Sequence, residues 1–134
     1  MGYHVSRGDE HPYEERPNRE GEQPRLAADL STAVALQQSR ARIWRYAPHT
    51  RGRRHLDTAQ EEVFVVLSGT LTILLGEPPE RVDLGPESVV SVEPMTPLQL
   101  RNEGDEELVV FAYGAPPEAG KGEFLDDVEL ADLT

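Results

Sequence analysis

The chain has 134 residues, no cysteine and a formal net charge of −12. This length supports one domain with its own core, and the lack of cysteine excludes disulfides, thiolate metal sites and cysteine nucleophiles. The acidic balance argues against a nucleic-acid partner, and the apolar runs are too short to span a membrane. Because no apolar leader follows Met1, we expect a soluble cytoplasmic protein.

The first 40 residues predict an N-terminal arm beside the main domain. Residues 1–25 are polar and contain three prolines without a periodic pattern. Apolar residues at helical spacing predict a short helix over residues 26–36, with Asp29 or Ser31 as its cap. We expect this arm to pack on the main domain or on a second subunit.

Short β-rich segments separated by turn residues predict strands from residue 41 onward. The predicted strands are residues 41–47, 62–67, 70–75, 81–84, 88–92, 97–101 and 108–113. Several short strands at close spacing, with no long helical pattern, are typical of an all-β sandwich or barrel. We expect the barrel to occupy residues 41–115 and residues 116–134 to form an acidic tail.

One stretch brings together side chains that bind metals. Residues two apart in a strand share a face, so His55 and Asp57 point the same way. If Glu62 opens the neighbouring antiparallel strand, its carboxylate lies alongside them. Imidazole and carboxylate ligands suit Mn, Fe, Ni or Zn, so a divalent-metal site is predicted at these residues.

The same stretch resembles the cupin superfamily. The first cupin motif is a glycine, five residues, His-x-His, four residues, Glu, six residues and Gly. Here it reads His55-x-Asp57, four residues, Glu62, six residues and Gly69, and His49 replaces the first glycine. The resemblance implies a double-stranded β-helix, which is the jelly-roll barrel of the cupins.

The second cupin motif is matched only in part. In the family it reads Gly, then Pro-x-Gly, two residues, His, three residues and Asn. The corresponding residues here are Gly85, Glu93, Pro94, Met95, Leu98 and Asn102. The resemblance covers residues 41–115.

The departures from the family concern the metal ligands. The four ligands of the family correspond to His55, Asp57, Glu62 and Leu98. One histidine is replaced by a carboxylate, and leucine cannot coordinate a metal. The resemblance therefore implies a weak or partly occupied divalent metal at the three remaining residues.

Three further residues are candidates for ligand binding. A buried Glu62 without a metal needs a cationic or donating partner. Arg53 shares the strand parity of His55, and Arg45 lies on the preceding strand, so either can form a salt bridge there. Phe64 is either a core residue or an aromatic wall at the barrel mouth that stacks on a ring-shaped ligand.

Two functional hypotheses follow. The first is a non-catalytic cupin that binds a small polar ligand in the barrel cavity beside the partial metal site, and the lost fourth ligand favours it. The second is a metal-dependent enzyme of the isomerase, epimerase or dioxygenase type, in which the three remaining donors hold a catalytic metal. The fold alone does not decide between them. Small cupins pair through sheet edges, so a homodimer is also predicted.

Overall fold

A computed structural model describes residues 2–117 and 122–133 of the chain, and they form a two-sheet β-barrel. In chain order the strands are β1 (Tyr13–Arg16), β2 (Arg25–Asp29), β3 (Arg40–Tyr46), β4 (Thr50–Arg51), β5 (His55–Asp57), β6 (Glu61–Ser68), β7 (Leu71–Leu75), β8 (Glu80–Leu84), β9 (Val89–Val92), β10 (Leu98–Asn102), β11 (Leu108–Ala115) and β12 (Gly122–Phe124). Helical structure in the described residues is limited to α1 (Leu30–Ala33) and two 3₁₀ turns, Gly8–Glu10 and Leu130–Asp132. None of these helices has the length and apolar character needed to cross a membrane.

The strands form two antiparallel sheets. Sheet A has the order β1-β2-β3-β11-β6-β9, and sheet B has the order β12-β5-β10-β7-β8, with β4 paired to β10. Neighbours in the sheets are mostly distant in sequence, as in β3–β11 and β5–β10. The predicted all-β barrel is therefore confirmed.

The main core lies between the two sheets. Sheet A contributes Phe64 and Val66 from β6 together with Val110 from β11, and sheet B contributes residues such as Ile73 and Leu98. Each of these side chains is at most 3% exposed. On β6 the neighbours of Phe64 and Val66 are less buried and point to the other face of the sheet. This is the two-residue alternation expected of a strand that is buried on one face.

The N-terminal residues differ from the prediction. Residues 25–29 are strand β2 and not the start of a helix, and α1 is a single turn capped by the Asp29 carboxylate, which accepts from Ser31 N at 2.9 Å. Strands β1 and β2 form a hairpin that extends sheet A beside β3. The helix predicted from this spacing does not form over these residues, because the pairing of β2 with β3 outweighs their weak local preference for a helix.

The C-terminal segment, defined here as residues 122–133, also packs on the barrel. Its strand β12 pairs with β5, so that Phe124 lies opposite His55. Asp127 accepts a hydrogen bond from Arg19 at 2.6 Å and another from the buried Gln99 at 3.2 Å. These contacts dock the predicted tail, of which residues 118–121 lie outside the described part of the chain.

Two residues of the cupin motifs have structural roles. Gly69 adopts φ +80° between β6 and β7, and a Cβ there would lie 2.5 Å from the Glu107 carbonyl oxygen. Asn102 is 1% exposed, and its amide donates to the backbone oxygens of Tyr46, Ala47 and Glu106. Both residues therefore stabilise turns at the barrel ends.

Candidate functional site

A cavity of about 390 Å³ is lined by residues of both sheets. Its charged and polar lining residues are Arg25, Arg40, Arg42, Arg53, His55, Asp57, Gln60 and Glu62. Its aromatic and apolar lining includes Trp44, Tyr46, Phe64, Leu100, Ala112 and Phe124. This mixture of an apolar wall and a few converging polar groups is typical of small-molecule sites.

Strand β3 supplies one side of the cavity. Alternate residues of a strand share a face, so the even-numbered residues of β3 line the cavity. They are Arg40, Arg42, Trp44 and Tyr46. Across the sheet, Gly114 lies between Arg40 on β3 and Glu62 on β6. Since glycine has no side chain, this rung of the sheet accommodates the Gln60 side chain, whose Cδ and Oε1 would lie 2.6 Å from a Cβ at Gly114.

The arginines at this end of β3 are not fully neutralised. Burial lowers the pKa of Arg42, and the nearby charges of Arg40 and Arg16 lower it further. Asp29 and Glu62 act in the opposite direction without reversing the shift. The lowered pKa therefore reflects burial first and neighbouring cations second, and an anion entering the cavity would favour the charged form of Arg42.

Arg25 adds a second cation beside the aromatic residues. Its guanidinium carbon lies 5.0 Å from the ring centroid of Trp44 and 5.9 Å from that of Tyr46. Its Nε is buried and has no hydrogen-bond partner among the described residues. A buried donor without a partner is unfavourable, and the guanidinium group that carries it lines the cavity as a further cation.

His55 and Glu62 face each other across the cavity. The Nδ1 of His55 lies 3.0 Å from the Arg53 carbonyl oxygen, which can only accept, so Nδ1 carries a proton. The opposite ring nitrogen, Nε2, lies 3.9 Å from Glu62 Oε1. Burial raises the pKa of Glu62; His55, Arg40 and Arg42 oppose that shift, and Asp57 adds to it. The pair can therefore exchange a proton with a bound molecule.

The donor set does not fit a resident metal. Oδ1 of Asp57 accepts from the backbone N–H groups of Ala59 and Gln60, at 2.9 and 2.7 Å, and so closes the turn before β6. Leu98 lies opposite His55 and adds an apolar side chain where the family has a donor. Residues 2–117 and 122–133 contain no group of three or more His, Asp or Glu residues arranged to hold a metal ion.

The structure brings most of the predicted site residues to this cavity. His55, Asp57, Glu62, Arg53 and Phe64 all line it. The exception is Arg45, whose side chain lies on the outer face of sheet A. There it donates to Glu107 at 2.7 Å, and its guanidinium carbon lies 5.0 Å from the Tyr13 ring centroid. Arg45 is an odd-numbered residue of β3, so its side chain points away from the cavity that Arg42 and Trp44 line. The prediction that Arg45 belongs to the ligand site is therefore corrected.

Sequence reasoning missed three cavity arginines and several cavity aromatic residues, among them Phe124. Arg40 and Arg42 were detectable, because arginines two apart precede Trp44 and Tyr46 at the same parity. Arg25 had no local signal, since its position depends on the pairing of β2 with β3. Phe124 had none either, since it depends on the pairing of β12 with β5.

Comparison with known proteins identifies the fold family. A family model described as a cupin domain matches residues 42–113. A search of curated proteins finds none that matches this chain.

Solved structures share the fold at low sequence identity. A double-stranded β-helix protein from Klebsiella pneumoniae is 18% identical, with TM-score 0.72, and the match covers 92% of this chain and 97% of that one. A putative sugar phosphate isomerase from Acidithiobacillus ferrooxidans is 19% identical, with TM-score 0.72 and coverage of 97% and 94%. A predicted oxalate decarboxylase from Thermotoga maritima is 18% identical, with TM-score 0.73 and coverage of 84% and 98%.

Proposed function

This chain belongs to the cupin domain family, and from that premise we propose that it binds a small anionic molecule in the barrel cavity. One observation carries the proposal. Four arginines, Arg25, Arg40, Arg42 and Arg53, line a single cavity of a chain whose net charge is −12. Cations gathered in a concave site attract and orient carboxylates and phosphates, because guanidinium groups bind such anions bidentately.

The charge balance within the cavity supports an anion. Asp57 and Glu62 are the carboxylates that line it, against four guanidinium groups. Asp57 is bonded to backbone N–H groups and Glu62 faces His55, so neither forms an ion pair with a cavity arginine among the described residues. The binding of an anion compensates this excess of positive charge.

Two proteins that share the fold have names that include anionic compounds. The similar proteins from Acidithiobacillus ferrooxidans and Thermotoga maritima are named for sugar phosphate and oxalate. Both compounds carry negative charge at neutral pH. At 18–19% identity these names support the general class of ligand and not a particular compound.

The proposal is tested with inorganic phosphate and two matched arginine variants. Trp44 lines the cavity and is the chain's one tryptophan, so its indole N–H resonance reports binding directly. Arg42→Gln removes a cavity cation and should weaken phosphate binding about 10-fold or more, which is the scale of a charge-assisted hydrogen bond.

Arg45→Gln is the control, because it makes the same change on the outer face of the same strand. It should leave phosphate affinity within about 2-fold of the wild type, as expected for an exposed ion pair. Equal weakening by both variants, or no response of Trp44 to phosphate in the wild type, would refute binding in the cavity.

An enzyme is the second candidate function, and the His55–Glu62 pair favours it. The proton on Nδ1 leaves Nε2 of His55 facing the cavity, 3.9 Å from a carboxyl group whose pKa is raised by burial. Such a pair suits proton transfer in an isomerase or epimerase without a resident metal. Solvent deuterium appearing at carbon in a bound sugar phosphate, and lost in His55→Gln, would favour this function over simple binding.

A further inference from the structure

Phe124 is an exposed aromatic residue at the edge of the cavity. It lies on β12, lines the cavity and is 63% exposed. Its ring centroid is 3.8 Å from the guanidinium carbon of Arg53, which is the closest of the cation–π contacts in the described residues. An apolar ring left open to solvent beside a cationic cavity has surface available for a ligand.

The position of Phe124 is held by contacts on both sides of it. Before it, β12 is paired with β5. After it, Leu125 N donates to the Arg54 carbonyl oxygen at 2.8 Å, and the Arg54 guanidinium donates to the Asp126 carbonyl oxygen at 3.2 Å. Arg54 is 6% exposed, so these bonds are formed in a largely buried setting. The barrel therefore presents Phe124 in a defined place.

We propose that Phe124, stacked on Arg53, is a specificity-determining residue that contacts a flat ring carried by the anionic ligand. This inference rests on the proposed function, since it assumes that the cavity arginines bind the anion. The anionic group reaches Arg40 and Arg42, while the ring lies against Phe124. The ligand class is therefore a phosphate or carboxylate attached to a ring.

Both aromatic rings and sugar rings present a flat face of C–H or π character. An aromatic ring stacks on Phe124 and Arg53 through π and cation–π contacts, and a sugar ring packs its C–H face on Phe124. The polar groups of His55 and Glu62 lie in the same cavity and can bond to ring substituents. The shared chemistry is a ring with an anionic substituent, and the experiment separates the two kinds of ring.

The experiment compares four phosphates by titration of the Trp44 indole resonance. Inorganic phosphate and methyl phosphate carry no ring, phenyl phosphate carries an aromatic ring, and glucose 6-phosphate carries a sugar ring. The wild type should bind at least one ring phosphate more tightly than methyl phosphate. Phe124→Ala should weaken that binding about 2- to 10-fold, the scale of an aromatic contact, and leave methyl phosphate affinity unchanged.

Two further variants make the result specific. Phe124→Leu keeps apolar bulk against Arg53 without a ring face, so it should lose the preference for the ring phosphate even if Phe124→Ala folds poorly. Tyr3→Ala removes an aromatic residue that is 80% exposed and lies away from the cavity, and it should change nothing.

The outcomes separate this inference from the proposed function. If the wild type binds methyl phosphate as tightly as both ring phosphates, the ring contact is refuted while anion binding stands. The same holds if the Phe124 variants weaken all four phosphates equally or none of them. If none of the four phosphates shifts the Trp44 resonance, the proposed function fails, and this inference fails with it.

Discussion

Single residues set the electrostatic character of the cavity. Glu62 is brought inside by the parity of β6, because Glu61 next to it faces outward and is exposed. Burial raises the pKa of Glu62, and nearby Asp57 adds to the shift, while His55 and the arginines of β3 oppose it. The folded protein therefore holds a proton on this carboxyl more tightly than the unfolded chain does.

We expect Glu62→Gln to stabilise the protein at neutral pH. A carboxyl whose folded-state pKa is raised favours folding when it is protonated, and this contribution is lost as the pH rises from the unfolded pKa through the folded one. Glutamine remains neutral, so the gain over the wild type should grow as the pH rises from about 4, near the unfolded pKa of glutamate, towards neutral. Urea unfolding across this range measures it.

Glu61→Gln is the control for this effect, since it changes the adjacent, exposed residue. It should leave the pH dependence of the free energy of unfolding as it is in the wild type. A Glu62→Gln protein that is less stable than the wild type at neutral pH would show that the charged carboxylate is stabilising. The assignment of burial as the dominant influence would then be wrong.

At the scale of elements, one carboxylate of the C-terminal segment adds side-chain contacts with the barrel to the backbone pairing of β12 with β5. Asp127 accepts from Arg19 at 2.6 Å and from Gln99 at 3.2 Å, and it lies 3.7 Å from Arg51. Gln99 is fully buried, so its amide depends on partners within the protein. The segment joins sheet B to the N-terminal part of the chain through this cluster.

We expect Asp127→Ala to destabilise the protein by about 1–3 kcal/mol, because it removes charge-assisted hydrogen bonds from Arg19 and from the buried Gln99 amide, which keeps only the Gly52 carbonyl oxygen as acceptor for its Nε2. Exchange of the Leu125 amide hydrogen, which is bonded to the Arg54 carbonyl oxygen, should accelerate. Asp126→Ala removes the same charge from the exposed neighbouring side chain and is the control. Unchanged exchange at Leu125 in Asp127→Ala would mean that β12 pairing alone holds the segment.

Elements differ in how well the sequence predicted them. Strands β6 and β7 lie in different sheets and do not form a hairpin with each other, but both strands were predicted, because alternating β-branched residues and a glycine turn are local signals. The hairpin of β1 and β2 was not, because β1 has the sequence Tyr-Glu-Glu-Arg and is a strand only through its pairing in sheet A. Short polar strands are decided by their neighbours.

At the scale of the whole molecule, the sheet edges differ in charge. Strand β8 ends sheet B and carries Glu80, Arg81 and Asp83, which disfavour pairing with another chain. Strand β9 ends sheet A with the uncharged sequence Val-Val-Ser-Val, and Val89 is 61% exposed. An uncharged edge favours pairing, so a homodimer remains our prediction, although the N-terminal arm now has a role within its own chain.

We expect Val89→Lys to shift the protein from dimer to monomer, because a lysine on an edge strand opposes pairing with a second copy. Sedimentation equilibrium at micromolar concentration measures the shift. Glu80→Lys, on the charged edge of sheet B, should leave the assembly unchanged. A wild-type protein that sediments as a monomer would refute the homodimer itself.

The sequence by itself determined the fold and the inward-facing residues of β6. Strand alternation and the spacing of the first motif are local properties, so the barrel, Glu62 and Phe64 could be placed from residues close together in the chain. Only the tertiary structure showed that arginines and not metal ligands dominate the cavity. Arg25 and Phe124 reach it through strands paired with β3 and β5, and Asp57 is engaged by its own turn. The reason is that side-chain parity is set within a strand, whereas strand neighbours are set by pairing between distant parts of the chain.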